Sequence, residues 1–207
     1  MIDEKVRKTW QIPPERIDIK HPDWEKKLDA FVKSTVANRL GCEKVPITAH
    51  LYKMLLYEPD CHFLMHQDTE KEQGMFATMV IQLPSSHTGG ELVVFDSRGE
   101  EIVHDMGQDT GMAPFNCHYA VHFADSHHKV NPIKSGYRLV LIYSICWPVE
   151  KIGSVPSRFT SHSDQTQDIK TELENWDLGD QVTENHLHVL MSLGTCDLYV
   201  EASVYRK

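Results

Sequence analysis

Between Thr48 and Cys146 the chain alternates short runs rich in β-branched and aromatic residues with turn signals, and this alternation narrows the possible folds most. The runs are 49–57, 76–83, 91–96, 119–124 and 137–146. Residues of these types suit a pleated, half-buried surface, so each run is expected to be a strand. The breaks are Glu58-Pro59-Asp60, the segment 84–90, Ser97-Arg98-Gly99 and the segment 131–136. Glycine, proline and aspartate punctuate strands because they set or tolerate turn dihedrals. Gly89-Gly90 reads as a tight entry into the strand at 91–96. Many short strands separated in this way predict a sandwich, barrel or jelly roll. A length of 207 residues is enough for one domain with a sizeable core.

The flanks differ in texture. In 23–40 the apolar residues Trp24, Leu28, Phe31, Val32, Val36 and Leu40 recur at three- and four-residue steps, which predicts an amphipathic helix. Pro22 suits its start and Gly41 its end. After Trp147-Pro148 the stretch 149–167 is polar and rich in Ser and Thr, which predicts a loop. Short helices are expected at 169–176 and 185–193. The chain thus divides into helical support (1–47), a β core (48–148) and a C-terminal extension without an assigned role (149–207), within one domain overall.

Charge and cysteine usage exclude some classes. The formal net charge is −9, which disfavours a protein that grips nucleic acid by neutralising phosphates. The five cysteines are scattered and form no CxxC pair, which argues against a disulfide framework and for a reducing compartment, the cytosol or nucleus. No apolar run approaches the roughly 20 residues that cross a bilayer, so no membrane partner is expected. The first eight residues are charged and lack an apolar signal core.

Histidine is abundant, at 13 residues, and prompts a search for metal ligands. His-x-Asp occurs three times: His21-Pro22-Asp23, His66-Gln67-Asp68 and His162-Ser163-Asp164. The motif alone is weak, so chemistry must choose. A non-haem iron(II) oxygenase takes two imidazoles and one carboxylate on one face of the metal and leaves three positions open. A His and an Asp two residues apart lean to one face of an extended strand. The second His is expected from a later strand on the opposite wall. A buried base must then meet the far carboxylate of a 2-oxo acid. In several families of such enzymes this base follows the second His by ten positions. Of the histidines between His87 and His128, His128 alone has a base at that distance, Arg138. Val140 and Ile142 share the Arg138 face of the strand, which suits a charge pointing inward. His162 fails the test, and His21 precedes the helix. The metal ligands expected are therefore His66, Asp68 and His128.

With these residues in place the chain resembles the prolyl 4-hydroxylase-like branch of the 2-oxoglutarate/iron(II) dioxygenases. The likeness is carried by Leu56-Tyr57-Glu58-Pro59, His66-Gln67-Asp68-Thr69-Glu70-Lys71, Gly74-Met75-Phe76 and Leu83-Pro84-Ser85. It continues through Gly89-Gly90-Glu91-Leu92, Phe123-Ala124-Asp125, His128-Lys129-Val130 and Gly136-Tyr137-Arg138. The resemblance implies a mainly β (α+β) fold, a double-stranded β-helix or jelly roll with flanking helices. It implies iron(II) on His66, Asp68 and His128, with 2-oxoglutarate paired to Arg138. It further implies dioxygen as the oxidant, with ascorbate as an optional addition. The implied reaction hydroxylates a C–H bond, with proline in a protein or peptide as first choice, and releases succinate and carbon dioxide. Tyr57 matches a strand tyrosine that in related hydroxylases points its hydroxyl at the cosubstrate; the other reading is a core aromatic at the barrel mouth. For Thr78 and Gln82, inward on the next strand, packing is the simpler role. The charged stretch Thr69 to Gln73 is expected to be a solvated loop at the mouth.

Three other readings compete. One is the same chemistry on a small molecule or a nucleobase. Another is a catalytically inactive jelly-roll binding module. The third is a structural zinc site, which usually takes four protein ligands with thiolates, and no cysteine is suitably spaced from His66.

Overall fold

The structure is a computed structural model that describes residues 6–96 and 98–148, together with strands at 187–192 and 197–202. Its strands follow in chain order. β1 (Arg7–Lys8) and β2 (Trp10–Ile12) precede the helix. β3 (Thr48–Tyr57), β4 (His62–His66), β5 (Met75–Gln82), β6 (His87–Gly89) and β7 (Leu92–Phe95) follow it. Next come β8 (Glu101–His104), β9 (His118–Phe123), β10 (His128–Val130), β11 (Ile133–Gly136) and β12 (Arg138–Cys146). β13 (Leu187–Ser192) and β14 (Asp197–Ala202) form a hairpin.

Two five-stranded antiparallel sheets make the body. One has the order β2-β3-β12-β5-β9, the other β1-β4-β10-β7-β8. From β3 onward the chain passes back and forth between them, and β6 and β11 pair separately at one end. This is the jelly-roll, double-stranded β-helix arrangement. Leu55, Val80, Leu92, Val94, Ala120 and Val140 fill the space between the sheets.

The helix covers the outer face of the first sheet. α1 (Trp24–Phe31) continues through a π-helical turn (Val32–Val36) into α2 (Ala37–Arg39), as the apolar period predicts. Gly41 follows with φ +71°, the left-handed conformation in which helices commonly end. Trp24, Leu28, Phe31 and Val36 pack on Ala77, Met79, Val121, Leu141 and Ile145. Trp24 Nε1 donates to Tyr143 Oη at 2.9 Å, tying helix to sheet. Large apolar side chains buried like these contribute roughly 1.5–3 kcal/mol each.

Several expectations need correction. Segment 1–47 is not only helical, because β1 and β2 extend the edges of both sheets. The breaks at 84–90 and 131–136 hold β6 and β11. Segments 62–66, 101–104 and 128–130 are strands without having shown strand texture. Segment 185–193 is not helical where it is described, since 187–192 is β13; a short apolar run does not separate helix from strand by period alone. The expected loop at 149–167 and helix at 169–176 lie outside the described residues.

Gly90 places the backbone close to the site. Its φ is +77°, and a Cβ there would lie 2.1 Å from Ile133 Cδ1 and 3.4 Å from Arg138 Cδ. Only glycine fits without moving the wall that packs on the Arg138 stem.

Candidate metal centre

Strand register brings the ligand candidates together. β4 and β10 pair antiparallel with His66 opposite His128, and the two ring centroids lie 4.2 Å apart. The imidazoles thus come from neighbouring strands of one sheet, not from opposite walls as the sequence suggested. Asp68 lies just beyond β4 rather than within it. Its backbone N–H donates to Ala124 O at 2.8 Å, which turns the carboxylate inward. Thr78 on the facing sheet donates its hydroxyl to Asp68 Oδ2 at 2.7 Å. One ligand atom each from His66, Asp68 and His128 then falls within 4.8 Å of the others.

Protonation suits metal binding. Nδ1 of His66 lies 2.8 Å from Leu64 O, and Nδ1 of His128 lies 3.0 Å from Ser126 O. A carbonyl can only accept, so Nδ1 carries the proton and Nε2 keeps its lone pair. Burial, and then the charge of His128, lower the pKa of His66 to about 4. Burial, and then His122, lower His128 to about 4. Both are neutral at physiological pH, so the 3.8 Å approach of His128 Nε2 to Asp68 Oδ2 is not a standing ion pair there. Burial pulls the Asp68 carboxyl upward, but His128 and the Thr78 hydroxyl outweigh it and hold it below its ordinary value.

Arg138 opens β12 and is only 1% exposed. Its Nε donates to Gln82 Oε1 at 2.8 Å, and Gln82 Nε2 donates to Met106 O at 3.0 Å. The guanidinium carbon sits 5.5 Å from the centre of the Tyr57 ring, within cation–π range. Arg138 Nη2 is buried and makes no hydrogen bond among the described residues. A buried charged donor without a partner is costly, and a ligand carboxylate would satisfy it. Tyr57 lies opposite Arg138 in the β3–β12 register and is buried, which raises its hydroxyl pKa.

One pocket contains all five residues named from sequence: His66, Asp68, His128, Arg138 and Tyr57. Iron(II) fits a donor set of two neutral imidazoles and one carboxylate. The sequence reading undervalued Thr78 and Gln82, which orient Asp68 and Arg138. It also passed over His122, whose buried ring lies 4.2 Å from the His128 ring and lines the same pocket. The alternation of His118, Ala120 and His122 along β9 was the available signal. At the mouth, Lys53 has its pKa lowered to about 8 by burial and then by Arg7 and Lys71.

Comparison with known proteins finds one family match. Residues 52–145, just under half of the chain, match the family described as the 2OG-Fe(II) oxygenase superfamily. The likeness of that segment is to oxygenases named for 2-oxoglutarate and iron(II). Among solved structures, an oxidoreductase of the 2OG-Fe(II) oxygenase family from Burkholderia pseudomallei is 19% identical, with TM-score 0.44. The match covers 62% of this chain and 59% of that one, so this chain spans less than two thirds of its length. A Pseudomonas putida prolyl-4-hydroxylase is 17% identical over 70% of this chain and 74% of that one, TM-score 0.47. A Trichoplax adhaerens prolyl hydroxylase, solved with a hypoxia inducible factor peptide fragment, is 15% identical over 75% and 76%, TM-score 0.42. No curated protein sequence matches the chain. Among the described residues no helix is long and apolar enough to cross a membrane.

Proposed function

We propose that His66, Asp68 and His128 hold iron(II), that Arg138 binds the distal carboxylate of 2-oxoglutarate beside Tyr57, and that the site hydroxylates a C–H bond of a peptide or protein, with proline the first candidate. The observation that carries this reading is the convergence of three donor atoms with a buried guanidinium that has an unfilled hydrogen-bond position in the same pocket. Iron, when bound, supplies the coupling of 2-oxoglutarate decarboxylation to oxygen activation.

This chain's own residues do the rest. His66 and His128 present Nε2 lone pairs because carbonyls fix their tautomers. Asp68 gives the negative charge, aimed by Thr78. Arg138, aimed by Gln82, orients the cosubstrate so that its other end faces the triad. Leu55, Val80, Leu92 and Val140 wall the pocket with hydrocarbon and limit water. Leu64 and Met65, exposed beside His66 on β4, give a peptide an apolar rest next to the metal. In this reading 48–148 is the catalytic core, 1–47 its support and 149–207 an extension. The scattered cysteines, with no CxxC pair, suit a reducing compartment, the cytosol or nucleus.

The test incubates the protein with iron(II), 2-oxoglutarate and a pool of proline-containing peptides. Expected are succinate release that rises with peptide and a peptide mass gain of one oxygen. Oxygen gain on metabolites or nucleobases alone would replace the substrate class. Absence of iron-dependent succinate release under every condition would reject the reading.

A further inference from the structure

A second cluster of ligand-type side chains stands at the mouth, apart from the triad. Register explains it. Cys146, the last residue of β12, lies opposite Thr48 on one side and Met75 on the other, while His50 on β3 faces Ser144. Trp147 N donates to Gly74 O at 2.9 Å, which draws the segment between β4 and β5 over the end of β12. Glu70 Oε1 accepts from Gly74 N at 2.9 Å and fixes that turn. The result places His50 Nδ1 2.5 Å from Glu72 Oε2, beside the Cys146 thiol. One donor atom each from His50, Glu72 and Cys146 falls within 4.8 Å of the others.

We propose that His50, Glu72 and Cys146 bind a divalent d-block cation of the zinc type. The chemistry of the set favours such an ion. One thiolate sulfur, one imidazole nitrogen and one carboxylate oxygen match the ligands that zinc and cobalt take in tetrahedral sites. Three protein ligands leave the fourth position to water, which the exposed edge of His50 and Glu72 can supply. On binding, the Cys146 S–H loses its proton to solvent and a sulfur–metal bond forms. The thiolate and carboxylate then carry two negative charges against the two positive charges of the ion. Without an ion, burial and the neighbouring carboxylates of Glu72 and Glu70 press the other way and hold the thiol protonated. Glu72 also lies four residues after Asp68, so an ion here pins the segment that carries the carboxylate of the triad.

Cobalt(II) distinguishes the two sites in the full chain, because thiolate ligation produces a near-ultraviolet charge-transfer band that imidazole and carboxylate ligands lack. Titration of the protein as prepared, after removal of bound metal, should show two equivalents bound per chain and the thiolate band with one of them. Cys146→Ser should lose the band and one equivalent and keep the other. His50→Ala, a change at a half-exposed position, should weaken the same equivalent without touching the triad. One equivalent bound and no thiolate band would overturn this inference and leave the proposed triad standing. A band that persists in both variants would also overturn it. A thiolate band without the second, thiolate-free equivalent would support this site and contradict the triad.

Discussion

Replacing Arg138 by methionine removes the guanidinium and keeps much of its length in a site that is 1% exposed. Two consequences follow for the protein without ligands. Gln82 Oε1 loses its donor, and a buried charge with an unfilled hydrogen-bond position disappears. The first costs about 1–3 kcal/mol. The second favours the variant, because apolar groups of similar shape are often neutral or stabilising in place of buried charges. The ligand-free midpoint should therefore move little. Binding of 2-oxoglutarate should suffer strongly. A hydrogen bond to a charged group contributes about 1.5–3 kcal/mol. At 1.4 kcal/mol per factor of ten, its loss raises the dissociation constant about 10- to 150-fold. The assay is thermal unfolding with manganese(II), with and without 2-oxoglutarate at a concentration 100 times the native dissociation constant. The native protein should gain about 2.7 kcal/mol. A variant weakened 100-fold should gain about 0.4 kcal/mol at the same concentration. Equal gains in both proteins would remove Arg138 from cosubstrate binding.

Asp68→Ala deletes the proposed anionic ligand and should abolish iron-dependent succinate release; turnover near the native rate would reject the proposed triad. Thr78→Val removes the hydroxyl that aims Asp68, and calorimetric titration with manganese(II) should show about 10- to 100-fold weaker binding; unchanged affinity would make Thr78 a packing residue. Burial lowers His104 to about 4, and His128 lies at about 4, so below pH 6.5 the unfolded chain takes up protons that the folded protein refuses. Stability of the metal-free protein is fully present above that pH and should fall as pH drops towards 4, seen as a lower urea midpoint at pH 4.5 than at pH 7.5; an equal or higher midpoint would contradict the buried, neutral imidazoles. Gly90→Ala should destabilise by about 1–3 kcal/mol, because its Cβ meets Ile133 and its φ is positive; an unchanged denaturation midpoint would show that the wall yields.

The long strands and the helix were legible because their side chains face the same environment repeatedly. β12 alternates Arg138, Val140 and Ile142 inward with Leu141, Tyr143 and Ile145 outward, and both faces are covered. β4 was not legible, because Leu64 and Met65 are exposed and mask the pattern that carries His66. β10 has three residues, too few for a period. Their pairing places His66 beside His128, and pairing between strands remote in sequence leaves no local trace. That is why candidate residues could be named from the sequence while their placement on one sheet could not. Thr78 and Gln82 looked like packing because their partners, Asp68 and Arg138, belong to other segments.

The most direct measurement is an anaerobic crystal structure with manganese(II) and 2-oxoglutarate, with the metal located by anomalous scattering. The anomalous peak should be bounded by Nε2 of His66, Nε2 of His128 and the Asp68 carboxylate, with the distal carboxylate of 2-oxoglutarate on Arg138. A metal held elsewhere, or a cosubstrate whose carboxylates leave Arg138 untouched, would contradict the proposed site.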